Sequence, residues 1–69
     1  QRRELAKRAL HQLPAKERAA VVLRDIEGLT TAEVANALGS TETTVRSQIS
    51  SARVKLKRIL EAMLSGRQS

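Results

Sequence analysis

Residues 29–49, LTTAEVANALGSTETTVRSQI, restrict this chain more than any other stretch, because start and stop signals for two helices are packed into one short segment. Thr30 can cap a helix while Glu33, three residues on, returns a carboxylate to the Thr30 amide. Leu29 and Val34 occupy the positions of a hydrophobic staple. A helix is therefore predicted from Thr31 to Leu38, stopped by Gly39 in the left-handed conformation open to glycine. Thr41 caps the next helix, so the turn is short enough for the two helices to cross steeply. Ala35 should face that crossing, and Val34, Leu38, Val45 and Ile49 should form the core beneath it.

The rest of the chain reads as three further helical stretches around this unit, with no strand pattern and no internal repeat. A first helix is predicted over residues 2–12, with Leu5, Ala6, Ala9 and Leu13 on one arc, ending before Pro14. Pro14 suits the first turn of a second helix running to about Asp25 or Ile26, with Ala19, Val22, Leu23 and Ile26 inward. The helix that starts at Glu42 should reach about Leu64, its seam formed by Val45, Ile49, Ala52, Leu56, Ile59, Leu60 and Met63, with residues 65–69 frayed. The expected architecture is all-α: a four-helix domain, residues 1–69, containing a helix-turn-helix and a long last helix. With no initiator Met and an opening already helical in character, the sequence suggests a piece of a longer protein.

Sixty-nine residues without one aromatic side chain leave Leu, Val, Ile and Ala to do all the packing, so the core is small and stability modest. Thirteen Lys and Arg against seven Asp and Glu give a net charge of +6. Residues 1–40 hold seven basic and five acidic side chains, residues 41–69 six and two, which concentrates the positive field on the last helix. Nucleic acid is the partner this favours, ahead of an anionic membrane. No apolar run approaches the roughly 18 residues of a membrane span, and no signal-peptide core is present. The sequence has no cysteine, and its single histidine, His11, lacks the neighbours a metal site needs. Asp25 and Glu27 come with no nucleophile, base or phosphate loop and read as helix termination, so no enzyme, cofactor or small-molecule substrate is expected.

Opposite the seam of the last helix stand Thr43, Arg46, Ser47, Ser50 and Arg53: short polar groups flanked by guanidinia, as insertion into a DNA groove requires. Arg46, Arg53 and Lys57 share one lateral line, while Lys55 and Arg58 lie elsewhere on the polar half. A merely solvated basic face is the alternative, and the preceding helix-turn-helix weighs against it. Contact with about four to six phosphates corresponds to a log-log salt slope of about −4 to −5. Val21 and Val54 are expected to point away from their apolar stripes, and with Leu60, Met63 and Leu64 they could form a protein-docking surface.

The segments ALHQLPAKER and VVLRDIEGLTTAEVANALGSTETTVRSQISSARVKL together resemble domain 4 of the sigma-70 family, in its compact extracytoplasmic-function type. The likeness runs from about Glu4 to Leu60. Its most specific parts are Leu13-Pro14-x-x-x-Arg18, Thr44-Val45-Arg46-Ser47 and the Ala52-Arg53 pair before Leu56. The resemblance implies a bacterial, cytoplasmic domain that recognises the minus-35 element of double-stranded promoter DNA, docks on the flap of the RNA polymerase β subunit and is blocked by anti-sigma factors. It implies a phosphate contact for Arg24, for which an ion pair with Asp25 or Glu27 is the competing reading. It also implies DNA contacts for Thr43, Thr44, Arg46 and Ser47. This chain departs from the family at Gln48, Ser50 and Ser51, where relatives often carry basic or bulky residues. Base readout would then lean on Gln48, which can pair with adenine, on the serines, or on DNA shape. The same departures keep open a sigma-like decoy that only occupies an anti-sigma factor, and the helix-turn-helix alone also occurs in response-regulator output domains.

Overall fold

A computed structural model describes residues 2–66. Four helices follow one another: α1 (Arg2–His11), α2 (Ala15–Val21) continuing directly into a π-helical turn (Val22–Ile26), α3 (Thr31–Leu38) and α4 (Glu42–Ser65). No strand occurs among the described residues.

The local signals act as their chemistry demands. The Thr30 amide donates to Glu33 Oε1 at 2.8 Å and the Glu33 amide to Thr30 Oγ1 at 3.1 Å, a complete capping box. Gly39 closes α3 with φ 64°, and the Ser40 amide returns to the Ala35 carbonyl at 2.8 Å, which satisfies a carbonyl the helix end would otherwise orphan. Thr41 caps α4 by accepting from the Thr44 amide at 3.1 Å. Thr30→Ala removes one half of the capping box and should cost about 1 kcal/mol, a fall in Tm of roughly 4–8 °C for a domain of this size. A thermal melt followed by circular dichroism checks it, and an unchanged Tm would show that the box contributes nothing.

The core is built as two clusters strung along α4. Toward its front, Val45 and Ile49 pack with Ala20, Val34 and Ala35, and Leu23 and Leu29 close the edges. Further along, Ala52 packs with Leu13 and Val21, with Leu10, Val22, Leu56 and Ile59 around them. Ala9, Ala20 and Ala52 are wholly excluded from solvent. Small side chains therefore sit where the helices come closest, the arrangement a chain without aromatics needs to reach interior packing density.

Several expectations are corrected. Val21 does not point outward: it is 3% exposed, because α2 lies between the clusters and turns Ala20 to one and Val21 to the other. Ile26, expected inward, is 63% exposed. The Glu27 amide reaches back five residues to the Val22 carbonyl at 2.9 Å, and this wider turn rotates the residues after Val22 off the α-helical arc. Leu38 is exposed at the last position of α3, on the rim of the molecule rather than in its core. Pro14 precedes α2 as its N-cap, with ψ 146°, instead of sitting within the first turn. At the C-terminus α4 extends through Ser65, whose hydroxyl donates to the Ala62 carbonyl at 2.9 Å, and Gly66 caps it at φ 70°. The remainder of the predicted frayed tail, residues 67–69, lies outside the described residues.

Candidate nucleic-acid interface

α4 advances about 100° per residue, so residues 43, 46, 47, 50, 53, 54 and 57 share the flank turned away from both clusters, and all of them are exposed. Arg46, Ser50, Arg53 and Val54 meet Arg24 and Thr31 around a hollow of about 440 Å³, with Ile49 at its floor. Three guanidinia and two hydroxyls thus converge beside the first residue of α3. Sequence reading names four of these side chains as DNA contacts but misses Thr31. Its place at the first turn of a capped helix is the available signal. Val54, expected in a docking face, stands in this hollow instead.

Each arginine of the hollow also has an intramolecular partner. Arg24 Nη1 donates to the Leu29 carbonyl at 3.2 Å, tying the loop before α3 to the π-helical turn. The predicted ion pair of Arg24 with Asp25 or Glu27 does not form. Arg46 Nη2 meets Glu42 Oε1 at 3.1 Å, one turn back on the same helix. Arg53 forms a forked pair with Asp25, Nη2 to Oδ1 at 2.6 Å and Nε to Oδ2 at 3.0 Å. Nothing in local sequence announces this pair, since its members are 28 residues apart.

The hydrogen bond from Arg53 holds the Asp25 carboxyl below its ordinary range, with the charges of Arg53 and Arg24 assisting and partial burial opposing. Because the folded pKa is depressed, the stabilisation exists above the unfolded value of about 4 and is lost as pH falls through the folded one. Wild type and Arg53→Gln should therefore differ in stability at near-neutral pH, by less than about 1 kcal/mol for so exposed a pair. The difference should vanish at pH values well below about 4. Melts across that range test the sign; a gap that widens with acid would contradict it.

Thr44 and Gln48 fall on a different stripe. They line a second hollow with Ala15, Lys16, Ala19, Leu38, Gly39 and Ser40, away from the three arginines. Thr44 is engaged in capping, its hydroxyl accepting from Thr41 Oγ1 at 2.9 Å. Gln48 is half-buried with Oε1 enclosed and unpartnered, a poor posture for reading adenine. Further along this stripe Ser51 and Lys55 both donate to Glu17 Oε2, at 3.2 and 3.1 Å, and so bind α4 to α2. Ser51 and Lys55 are thereby structural.

Of the predicted docking residues, Leu60 joins Ala6, Leu10, Val21, Asp25, Ile26 and Leu56 around a shallow apolar groove of about 170 Å³ on the α1 side. Buried Val21 is part of its floor. Met63 is half-buried and Leu64 exposed on the last turns of α4, and neither lines this groove. Arg18 explains the Leu-Pro-x-x-x-Arg motif: its Nη1 donates to the carbonyls of His11 at 3.2 Å and Leu13 at 3.3 Å, closing the end of α1. No helix among the described residues is long and apolar enough to cross a membrane.

Two helices joined through Gly39 and Thr41, with a cationic flank on the second, make this a helix-turn-helix domain. The chain belongs to the sigma-70 region 4 family, whose pattern matches residues 3–56. It is 44% identical over 59 residues to the ECF RNA polymerase sigma factor SigM of two Mycobacterium tuberculosis strains. The alignment covers 86% of this chain and 30% of each relative. This chain therefore corresponds to less than a third of the length of the proteins it resembles.

Proposed function

We propose that this domain recognises the minus-35 element of bacterial promoters, with the front of α4 in the major groove, as part of a sigma factor that directs RNA polymerase to its start sites. The convergence of Arg24, Arg46 and Arg53 around one hollow beside the start of α3 carries the reading. The family match supports it. In this reading Arg46 and Lys57 meet backbone phosphates, with Arg24 and Arg53 beside them, while Thr43, Ser47 and Ser50 approach base edges and sugars. Thr44 and Gln48 contribute at the margin, on the side facing α2. The role is non-enzymatic and needs no cofactor or metal: the domain binds and positions, and the polymerase does the chemistry.

The apolar groove that includes Val21 and Leu60 is where the polymerase β flap would dock and where an anti-sigma factor would compete, with Met63 and Leu64 on the last turns of α4 as separate contacts. A cytoplasmic site of action follows from those partners. Selection from a duplex library randomised over the minus-35 region, performed with the complete sigma factor and core polymerase, tests the reading. Enrichment of one motif supports it. Retention of every duplex equally, together with tight anti-sigma binding, would replace it with the decoy.

A further inference from the structure

Arg53 stands on the cationic flank with one donor edge of its guanidinium already engaged. Nε and Nη2 both end on the Asp25 carboxylate. A carboxylate held in this two-point manner takes the same donor face of a guanidinium that a phosphate takes, so Arg53 cannot serve both at once through those atoms. Asp25 comes from another element. It lies in the π-helical turn and lines the apolar groove, whereas Arg53 lines the basic hollow. The pairing is thus set by the tertiary fold, unlike that of Arg46, whose carboxylate lies one turn away on the same helix. The Asp25–Arg53 pair is also open to water, with side chains 34% and 57% exposed. Ion pairs in such surroundings are worth little and exchange partners readily.

We propose that Asp25 is an internal stand-in for a DNA phosphate: it occupies Arg53 in the free domain, and duplex binding exchanges this carboxylate for the backbone. Asp25 is then a residue that lowers affinity without touching a base. The proposal rests on the DNA-binding reading above. Its consequence is that one potential phosphate contact is discounted by the cost of releasing Asp25, so the domain binds duplex more weakly than its number of exposed cations implies.

The test compares Asp25→Asn with Glu27→Gln, which removes one negative charge two residues away from the pair. Binding of a short labelled duplex of mixed sequence is followed by fluorescence anisotropy between about 50 and 200 mM salt. Asp25→Asn should bind several-fold more tightly than Glu27→Gln at each salt concentration, with a log-log slope like that of the wild type, because Arg53 meets its phosphate in both complexes. Arg53→Gln, made both in the wild type and together with Asp25→Asn, should cost several-fold more affinity in the second background, where no carboxylate competes for the guanidinium. Asp25→Ser provides a second neutral replacement should the first melt early. Weaker binding by both neutral variants would mean that Asp25 positions Arg53 rather than competing for it, and would overturn the proposal. So would a gain no larger than that of Glu27→Gln, or an equal cost of Arg53→Gln in both backgrounds. Failure of the wild type and every variant to bind duplex at the lowest salt would instead remove the DNA-binding reading, and the exchange with it.

Discussion

Ala20→Leu should give this domain a broad melt at much lower temperature. Ala20 is wholly buried in the front cluster among Val34, Ala35, Val45 and Ile49, and a leucine there adds bulk at the place where α2 and α4 come together. Overpacking of this kind costs about 1–3 kcal/mol and occasionally more. A single core in a chain this short supplies only about 3–5 kcal/mol in total, so one substitution consumes most of the margin. The expected readout is a broad, early transition by circular dichroism and loss of amide dispersion in NMR spectra. Ala32→Leu is the matched control, because Ala32 is exposed on α3 and its replacement changes helix preference but not packing. Equal melts for the two variants would show that the close approach of the helices does not depend on Ala20.

The largest functional effect is expected from Arg46→Gln combined with Lys57→Gln. Both side chains are exposed on the cationic flank of α4, and neither is held by a carboxylate from another element in the way that Arg53 is. Each phosphate contact contributes about 0.9 to the log-log salt slope, so loss of two should flatten it by about 1.8 and weaken binding at about 0.1 M salt by roughly sixty-fold, extrapolating from about 1 M. Stability should change little, since the Arg46–Glu42 pair lies at the surface. Anisotropy titrations at several salt concentrations separate the outcomes. A drop in affinity with an unchanged slope would mean that these residues do not neutralise phosphates.

What is legible in the sequence is whatever acts within three or four residues. The Thr30–Glu33 box, the Gly39 stop, the Thr41 cap and the spacing of Val45, Ile49 and Ala52 along α4 are local rules, and the fold follows them. Legibility fails where distant residues decide. Glu17 with Ser51 and Lys55, and Asp25 with Arg53, join positions that only the packed helices bring together. The π-helical turn is a second source of error: its extra residue per turn carries Ile26 out of the core and puts Asp25 within reach of α4, against the α-helical arc expected for residues 19–26. Val21 is misplaced for a different reason, since a helix lying between two clusters has two inward faces and a single stripe cannot describe it. Among the expected DNA contacts, helical spacing places Thr43, Arg46, Ser47, Ser50, Arg53 and Lys57 on one exposed flank of α4, whereas Thr44 and Gln48 sit on the α2-facing stripe.

Two separate hydrophobic clusters on one continuous α4 imply that the molecule opens in stages. α1 is held through the rear cluster, by Leu10 and Leu13 against Ala52, Leu56 and Ile59, while the capped pair α3 and front α4 depends on Val34, Val45 and Ile49. Peeling α1 away therefore leaves the helix-turn-helix half its own support, and amide hydrogens of α1 should exchange with solvent well before those around Val34 and Val45. The helix-turn-helix end keeps its shape while the opposite end breathes.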